Sequence, residues 1–256
     1  MALLSLLALT SCQSELNDPI IVANLDQEFG LHVEEVLGSD QAVRFRLSTL
    51  ELADCLNYSI RTELDQRGPE LEIDLLEIQA PKNCEAGLAP AQGAVEANGL
   101  TLDEYLLRLS LKGVANTEGK LRIFPDHYLL SLEQNGSVIP LHEEVRRVPA
   151  NSCWGFVSWN DPTGYSIAQA FLAEFQGAFQ SLTAQNGYYS YFEITGGNVE
   201  VFTPPPPADA EQSRYFLVAM KPEDLAELNA IVEEYRQSAP ATHFTIEILT
   251  STGERI

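Results

Sequence analysis

Short runs in which apolar and polar side chains strictly alternate, each closed by turn residues, dominate the chain from about Glu28 to Val148. Val43, Phe45 and Leu47 alternate with Arg44, Arg46 and Ser48. Leu71, Ile73 and Leu75 alternate with Glu72 and Asp74, and Tyr105, Leu107, Leu109 and Leu111 share one face of another run. A period of two puts every second side chain on the same face, so each run reads as a strand with one face buried and one wet. Leu121-Arg122-Ile123 and Tyr128-Leu129-Leu130-Ser131-Leu132 continue the pattern, and Asn135-Gly136 marks a hairpin turn before Val138-Ile139. Strands at this spacing, with no helical period between them, predict a β-sandwich over residues 27–149.

The stretch Leu100-Thr101-Leu102-Asp103-Glu104-Tyr105 resembles the turn-then-tyrosine lead into a strand of immunoglobulin-like modules. The resemblance implies an immunoglobulin-like sandwich with Tyr105 near a corner, and it carries no ligand with it.

The pattern changes at Arg147-Val148-Pro149-Ala150-Asn151. Residues 153–159 form a continuous apolar run, closed by Asn160-Asp161-Pro162-Thr163-Gly164. Ile167, Phe171, Phe175, Ala178, Phe179 and Leu182 recur at helical spacing and predict a helix over residues 166–185. A hairpin follows around Gly196-Gly197, where counting outward pairs Ile194 with Val199, Glu193 with Glu200, Phe192 with Val201 and Tyr191 with Phe202. Four consecutive prolines from Pro204 end that sheet, because proline donates no backbone hydrogen bond. After a strand at residues 214–220, Pro222 with Glu223 and Asp224 opens a second helix, and Phe244, Ile246 and Ile248 alternate in a last strand. The order β-α-β-β-β-α-β over residues 150–256 is similar to a ferredoxin-like split β-α-β with one added strand. The predicted class is therefore mostly β plus α+β.

The chain opens on an uncharged apolar run ending in Leu9-Thr10-Ser11-Cys12, with polar residues from Gln13. Such a run is short for a bilayer core of about 30 Å and suits an export signal. Leu9-Thr10-Ser11-Cys12 resembles the lipobox of bacterial lipoproteins. The resemblance implies that residues 1–11 are an export signal, that Cys12 carries lipid, and that residues 12–26 are a tether. It also implies a cell-envelope location, with Gln13 in place of a retaining Asp favouring the outer membrane. The membrane is then a partner through the lipid on Cys12.

In an oxidising compartment the remaining cysteines can cross-link. Cys55 and Cys84 flank one apolar strand and are the expected disulfide, while Cys153, among Trp154, Phe156 and Val157, reads as a buried packing residue. A net charge of −22, from 37 acidic and 15 basic residues spread over both halves, repels a phosphate backbone, so nucleic acid is excluded as a partner.

No catalytic residues and no cofactor are predicted. The four histidines, His32, His127, His142 and His243, lie at no ligand spacing, and His142-Glu143-Glu144 reads as a connection. Glu193 opposite Glu200 is a weak metal candidate, with a water-exposed pair as the plain alternative. Tyr189, Tyr191 and Phe202 lie on the hairpin face that the core does not need; they are either packed against the rest of the chain or open to a protein or glycan partner. The reading is a lipid-anchored, non-catalytic binding or assembly protein. The alternative is a secreted hydrolase or protease inhibitor whose site is assembled from distant residues.

Overall fold

The structure, a computed structural model, describes residues 29–39, 41–111, 115–133, 136–238 and 244–256. Cys12, the export segment, the tether, the turn residue Asn135 and His243 lie outside the described residues.

Ten strands form one sheet: β1 (Phe29–Glu35), β2 (Val43–Cys55), β3 (Ser59–Arg67), β4 (Glu70–Gln79), β5 (Ala86–Ala97), β6 (Glu104–Leu111), β7 (Ala115–Ile123), β8 (His127–Leu132), β9 (Val138–Pro140) and β10 (Glu144–Arg146). Their order is β10-β8-β7-β6-β4-β3-β5-β2-β1-β9. The alternation works as the sequence predicts. Leu31, Val33, Phe45, Leu47, Leu71, Ile73, Tyr105, Leu107, Leu121, Tyr128 and Leu130 all enter one core, and their neighbours in sequence face outward.

A sheet with a single apolar face must curl to cover that face. The curl brings the two sheet edges together. β9 lies on one edge beside β1 and β10 on the other beside β8, and only residues 141–143 separate them. Backbone bonds continue both edges into that link: Leu141 N–H donates to Leu31 C=O and Leu130 N–H to Glu143 C=O.

This corrects the sandwich expectation, since the strands form a curled half-barrel and not two facing sheets. Periodicity tells which residues share a face; it does not tell whether the sheet is broken. The tyrosine turn is present locally. Tyr105 is buried, and its hydroxyl accepts from the backbone N–H groups of Thr101 (2.8 Å) and Leu102 (3.0 Å). Cys55 and Cys84 are joined in a disulfide that staples the end of β2 to the segment before β5.

The second region contains β11 (Ser152–Trp159), α1 (Pro162–Ala178), β12 (Gly187–Tyr188), β13 (Phe192–Thr195), β14 (Asn198–Val201), β15 (Gln212–Ala219), α2 (Leu225–Ser238) and β16 (Phe244–Thr250). Strand β11 runs between β15 and β16, antiparallel to both. Both faces of this sheet are covered. Cys153, Val157, Phe216, Val218, Ile246 and Ile248 meet Phe171 and Phe175 of α1 and Leu228, Ile231 and Val232 of α2. On the opposite face Trp154, Leu217 and Leu249 meet Tyr189, Tyr191, Phe192, Ile194 and Val201.

The hairpin register is the one counted from sequence: Phe192 with Val201, Glu193 with Glu200, Ile194 with Val199. It does not join the main sheet, however. With β12 it forms a separate three-stranded sheet that acts as the second covering layer. The ferredoxin-like sheet with one added strand is therefore not formed; β11, β15 and β16 pair by themselves, with an isolated bridge from Ser181 to Val218 beside β15.

Helix α1 also starts earlier than its apolar stripe suggests. Asp161 is its N-cap, accepting from Gly164 N–H at 2.7 Å, and Pro162 takes the first helical position. The residues Asp161 and Pro162 open the helix, because a carboxylate cap satisfies a free N–H and proline has none to satisfy. The second helix opens at Pro222, as predicted, through a 3-10 turn at Pro222–Asp224.

Candidate functional site

The outward face of β1, β2 and β5 is the floor of a groove. Register sets its rows: Gly30 beside Ser48 and then Gln92, and His32 beside Arg46 and then Ala94. Gly30 and Ala94 keep the floor low. A Cβ on Gly30 would meet Cδ2 of Leu141 at 2.5 Å, so glycine there lets the link between β9 and β10 lie down across β1. The same link brings His142 over the floor.

Tyr188, from the second region, stacks on the His142 ring at 3.7 Å and 7°. Phe202 stacks on Tyr188 in turn, at 5.6 Å. The groove is open to solvent and has a volume of about 440 Å³, and its lining includes His32, Arg46, Ser48, Gln92, Leu141, His142 and Tyr188.

His32 is the unusual member. It is 8% exposed, edge-on to both His142 (5.7 Å) and Tyr188 (5.3 Å), and neither of its ring nitrogens has a hydrogen-bond partner. Burial lowers its pKa to about 4, helped by His142 and then by Arg46, so the ring is neutral at pH 7. A neutral imidazole offers one donor and one acceptor. Leaving such groups buried and unused costs about 1–3 kcal/mol, which marks this residue as one that needs an explanation. The pKa of His142 is lowered by burial as well, with Glu193 opposing.

The charge around the floor is internally balanced. Buried Glu34 accepts from Arg44 (2.6 Å) and from Arg46 through Nε (2.5 Å) and Nη2 (3.3 Å), and Arg44 also reaches Glu96. The guanidinium of Arg46 is thus fixed in place and largely neutralised. The groove offers polar hydrogen-bonding groups more than net charge.

At the end of β1 the two regions are joined through buried Glu35. Its carboxylate accepts from Val148 N–H (2.6 Å), Arg147 Nε (3.0 Å) and Tyr128 hydroxyl (3.4 Å). Arg147 also lies over the Tyr128 ring, 5.5 Å from its centre. Burial raises the Glu35 pKa against the pull of those donors. The Tyr191 hydroxyl donates to Glu35 C=O at 2.5 Å and the Ser190 hydroxyl to Val33 C=O at 3.3 Å, so β1 belongs to one region and is bonded to the other.

A second cavity of about 610 Å³ adjoins this joint, and its lining includes Glu35, Asp126, Arg146, Arg147, Gln185 and Tyr189. Its carboxylates are engaged. Glu35 is held as described, and Asp126 contacts His127 Nδ1 (2.8 Å) and Arg146 (3.2 Å).

The aromatic face read from sequence is closed. Tyr189 and Tyr191 are buried beside Trp154 and Phe192, and Phe202 is half-buried against Tyr188. Of the two alternatives, the packed one describes Tyr189 and Tyr191: Trp154, Leu217 and Leu249 of their own region cover them, and the Tyr191 hydroxyl reaches β1. Glu193 and Glu200 do stand opposite each other, but among the described residues no group of three His, Cys, Asp or Glu side chains could hold a metal ion. Cys153 is fully buried and burial pushes its thiol up to about 12, which suits packing and not nucleophilic attack.

The sequence reading placed His142 correctly in a connection, between β9 and β10, but did not bring it together with His32. The one available signal was that His32 occupies an outward position in an alternating run, between apolar Leu31 and Val33. Among the described residues no helix is long and apolar enough to cross a membrane. No protein family, no curated protein and no solved structure matches the chain.

Proposed function

We propose that this chain is a lipid-anchored protein of the cell envelope that binds a neutral, hydroxyl-rich ligand of the glycan class in the groove between His32 and Tyr188. The observation that carries the binding reading is the groove of about 440 Å³ itself, in which the His32 and His142 imidazoles, Ser48 and Gln92 meet the Tyr188 ring. Small-molecule sites have volumes of about 300–1,000 Å³ and carry a few fixed polar groups among apolar walls.

Ser48, Gln92, Arg46 and the two imidazoles are such groups, and Leu141 and Tyr188 are the walls. A glycan hydroxyl can both donate to and accept from the half-buried imidazole of His142 and the side-chain amide of Gln92. An anionic ligand would approach against a net charge of −22 with little local compensation, since Glu34 already balances the arginines. The envelope location rests on the resemblance of Leu9-Thr10-Ser11-Cys12 to a lipobox, and the Cys55–Cys84 disulfide supports an oxidising compartment.

Equilibrium binding of the mature chain to a panel of neutral oligosaccharides tests the ligand class. The expected result is saturable binding that His32→Ala weakens about tenfold or more, measured at pH 7 under conditions where both chains are fully folded. No saturable binding by any saccharide, or equal affinity in His32→Ala, overturns it. Mass spectrometry of the membrane-extracted protein tests the anchor: the expected mature N-terminus is acylated Cys12.

A further inference from the structure

Strands β2 and β5 run past their neighbours. β1 pairs with β2 only as far as Thr49, and β3 meets β5 only at Gln92. Beyond those points residues 50–55 and 86–91 form a two-stranded ribbon, with Leu52 opposite Pro90 and Ala53 opposite Ala89. The Cys55–Cys84 disulfide stiffens it, as do bonds from Asn57 Nδ2 to Asn83 C=O and from Glu85 N–H to Asn57 Oδ1.

This small ribbon carries Leu50, Leu52 and Leu88 at 41%, 60% and 69% exposure, and Leu56 at 50% just past its end. Four of the ten large apolar side chains that are exposed among the described residues are therefore gathered at one tip. Scattered exposed leucines are ordinary, but a cluster fixed on a stapled projection marks a contact surface.

What covers the tip follows from where the chain arrives. β1 is antiparallel to β2, and its first residue, Phe29, is paired with Thr49. The chain therefore reaches β1 from the ribbon end of the sheet. Seventeen residue steps separate Cys12 from Phe29, a reach of at most about 60 Å. Leu52 lies three positions beyond Thr49, roughly 10 Å at strand spacing. A lipid on Cys12 would hold the ribbon within reach of the bilayer.

The residues flanking the leucines are mainly acidic, Glu51, Asp54 and Glu85 with Lys82 alone opposing them, which disfavours an anionic leaflet. We propose that Leu50, Leu52, Leu56 and Leu88 form a docking tip that rests in a zwitterionic lipid surface, the same leaflet that holds the Cys12 lipid. The choice of a bilayer as occupant rests on the lipid-anchor reading. Insertion of the tip would set the orientation of the protein on the membrane and hold the His32 groove at a fixed height, which a single anchor point at Cys12 does not do.

Flotation on phosphatidylcholine vesicles tests the tip with the full chain carrying Cys12→Ser, which removes the acyl anchor, with and without Leu52→Ser and Leu88→Ser together. The expected result is measurable flotation that the double substitution reduces about tenfold or more. The melting profile and the disulfide, read by non-reducing gel, should be retained. On the acylated chain, vesicles should slow amide exchange in residues 50–56 and 86–90. Equal partition of both chains overturns the tip. So does a vesicle-free dimer that the double substitution dissolves, which would name a second copy as the occupant, and so does vesicle-free amide protection of the ribbon that falls when residues 1–26 are removed, which would name the chain's own N-terminal segment. Acylation is read separately by mass on the parent chain: an unmodified Cys12 there, with flotation lost in the leucine variant, keeps the tip and removes the anchor, whereas an acylated Cys12 with equal flotation of the two Cys12→Ser chains removes the tip alone.

Discussion

The two regions solve the problem of covering a sheet in opposite ways. The ten-stranded sheet has one apolar face and curls around it, so its outward face stays polar and carries the Glu34–Arg44–Arg46 cluster and the groove floor. The three-stranded sheet around β11 is apolar on both faces, and every residue of β11 is buried. It takes helices on one side and the β12-β13-β14 layer on the other. That layer is then pressed against β1. A one-faced sheet is self-sufficient once curled, whereas a two-faced sheet needs two covering layers, and here the second layer is also the contact between the regions.

The comparison breaks most sharply at Trp154. It is fully buried, packs with tilted rings against Tyr191 and Phe192, and donates Nε1–H to Thr203 C=O at 3.0 Å. Trp154→Ala should cost about 4 kcal/mol, seen in denaturant unfolding, with amide protection falling in β11, β15 and β16 before it falls in β4 and β6. Equal loss in both regions would mean that they unfold as one unit.

Within the curled sheet the counterpart is the staple. The disulfide spans 29 positions, and Cys84→Ser should lower stability by about 3–4 kcal/mol in the chain-entropy model. A shift in the melting temperature without change at the β11 sheet would confirm that the staple serves the one-faced sheet. At the joint, Glu35→Ala leaves Arg147 and the Val148 N–H without their carboxylate. The expected loss is about 3 kcal/mol, with faster proteolysis within residues 147–151.

The smallest effect, and the one that depends on conditions, comes from His32. Its folded pKa of about 4 lies below the ordinary 6.5, so the unfolded chain takes up the proton first. Its share of stability is complete above about pH 6.5, falls as the pH drops toward 4, and is constant below that. The loss is about 2 kcal/mol at pH 5, from 1.36 kcal/mol per unit. Glu35 acts in the other direction, because its raised pKa makes the folded state favour the protonated acid as the pH falls. Unfolding of His32→Gln beside the parent chain from pH 7 to pH 4 isolates the histidine slope. Parallel curves would show that the ring is not buried in solution.

Much of this was legible in the chain. The alternating residues of β2, β4 and β6 all face the core, the β13–β14 register was counted correctly from Gly196-Gly197, and Cys55 found Cys84. These features are local, or follow from a side chain's position within one strand. The curl was not legible, because β9 and β10 are three-residue strands whose edges are chosen by partners more than 100 positions away in one case and within 20 in the other. The groove was not legible either: His32 and His142 are 110 positions apart, and nothing near either in sequence announces the other.

The sequence by itself determined which side chains seek a core, the register of the β13–β14 hairpin, and the net charge of −22. It did so because burial and backbone geometry act on neighbours a few residues apart. Only the tertiary structure decided that Tyr189 and Tyr191 are covered, that His32 is buried with its nitrogens unused, and that four leucines stand out on a ribbon. Each of those outcomes depends on which distant surface arrives at a given face, and apolar attraction is not directional enough for a strand to name its cover in advance.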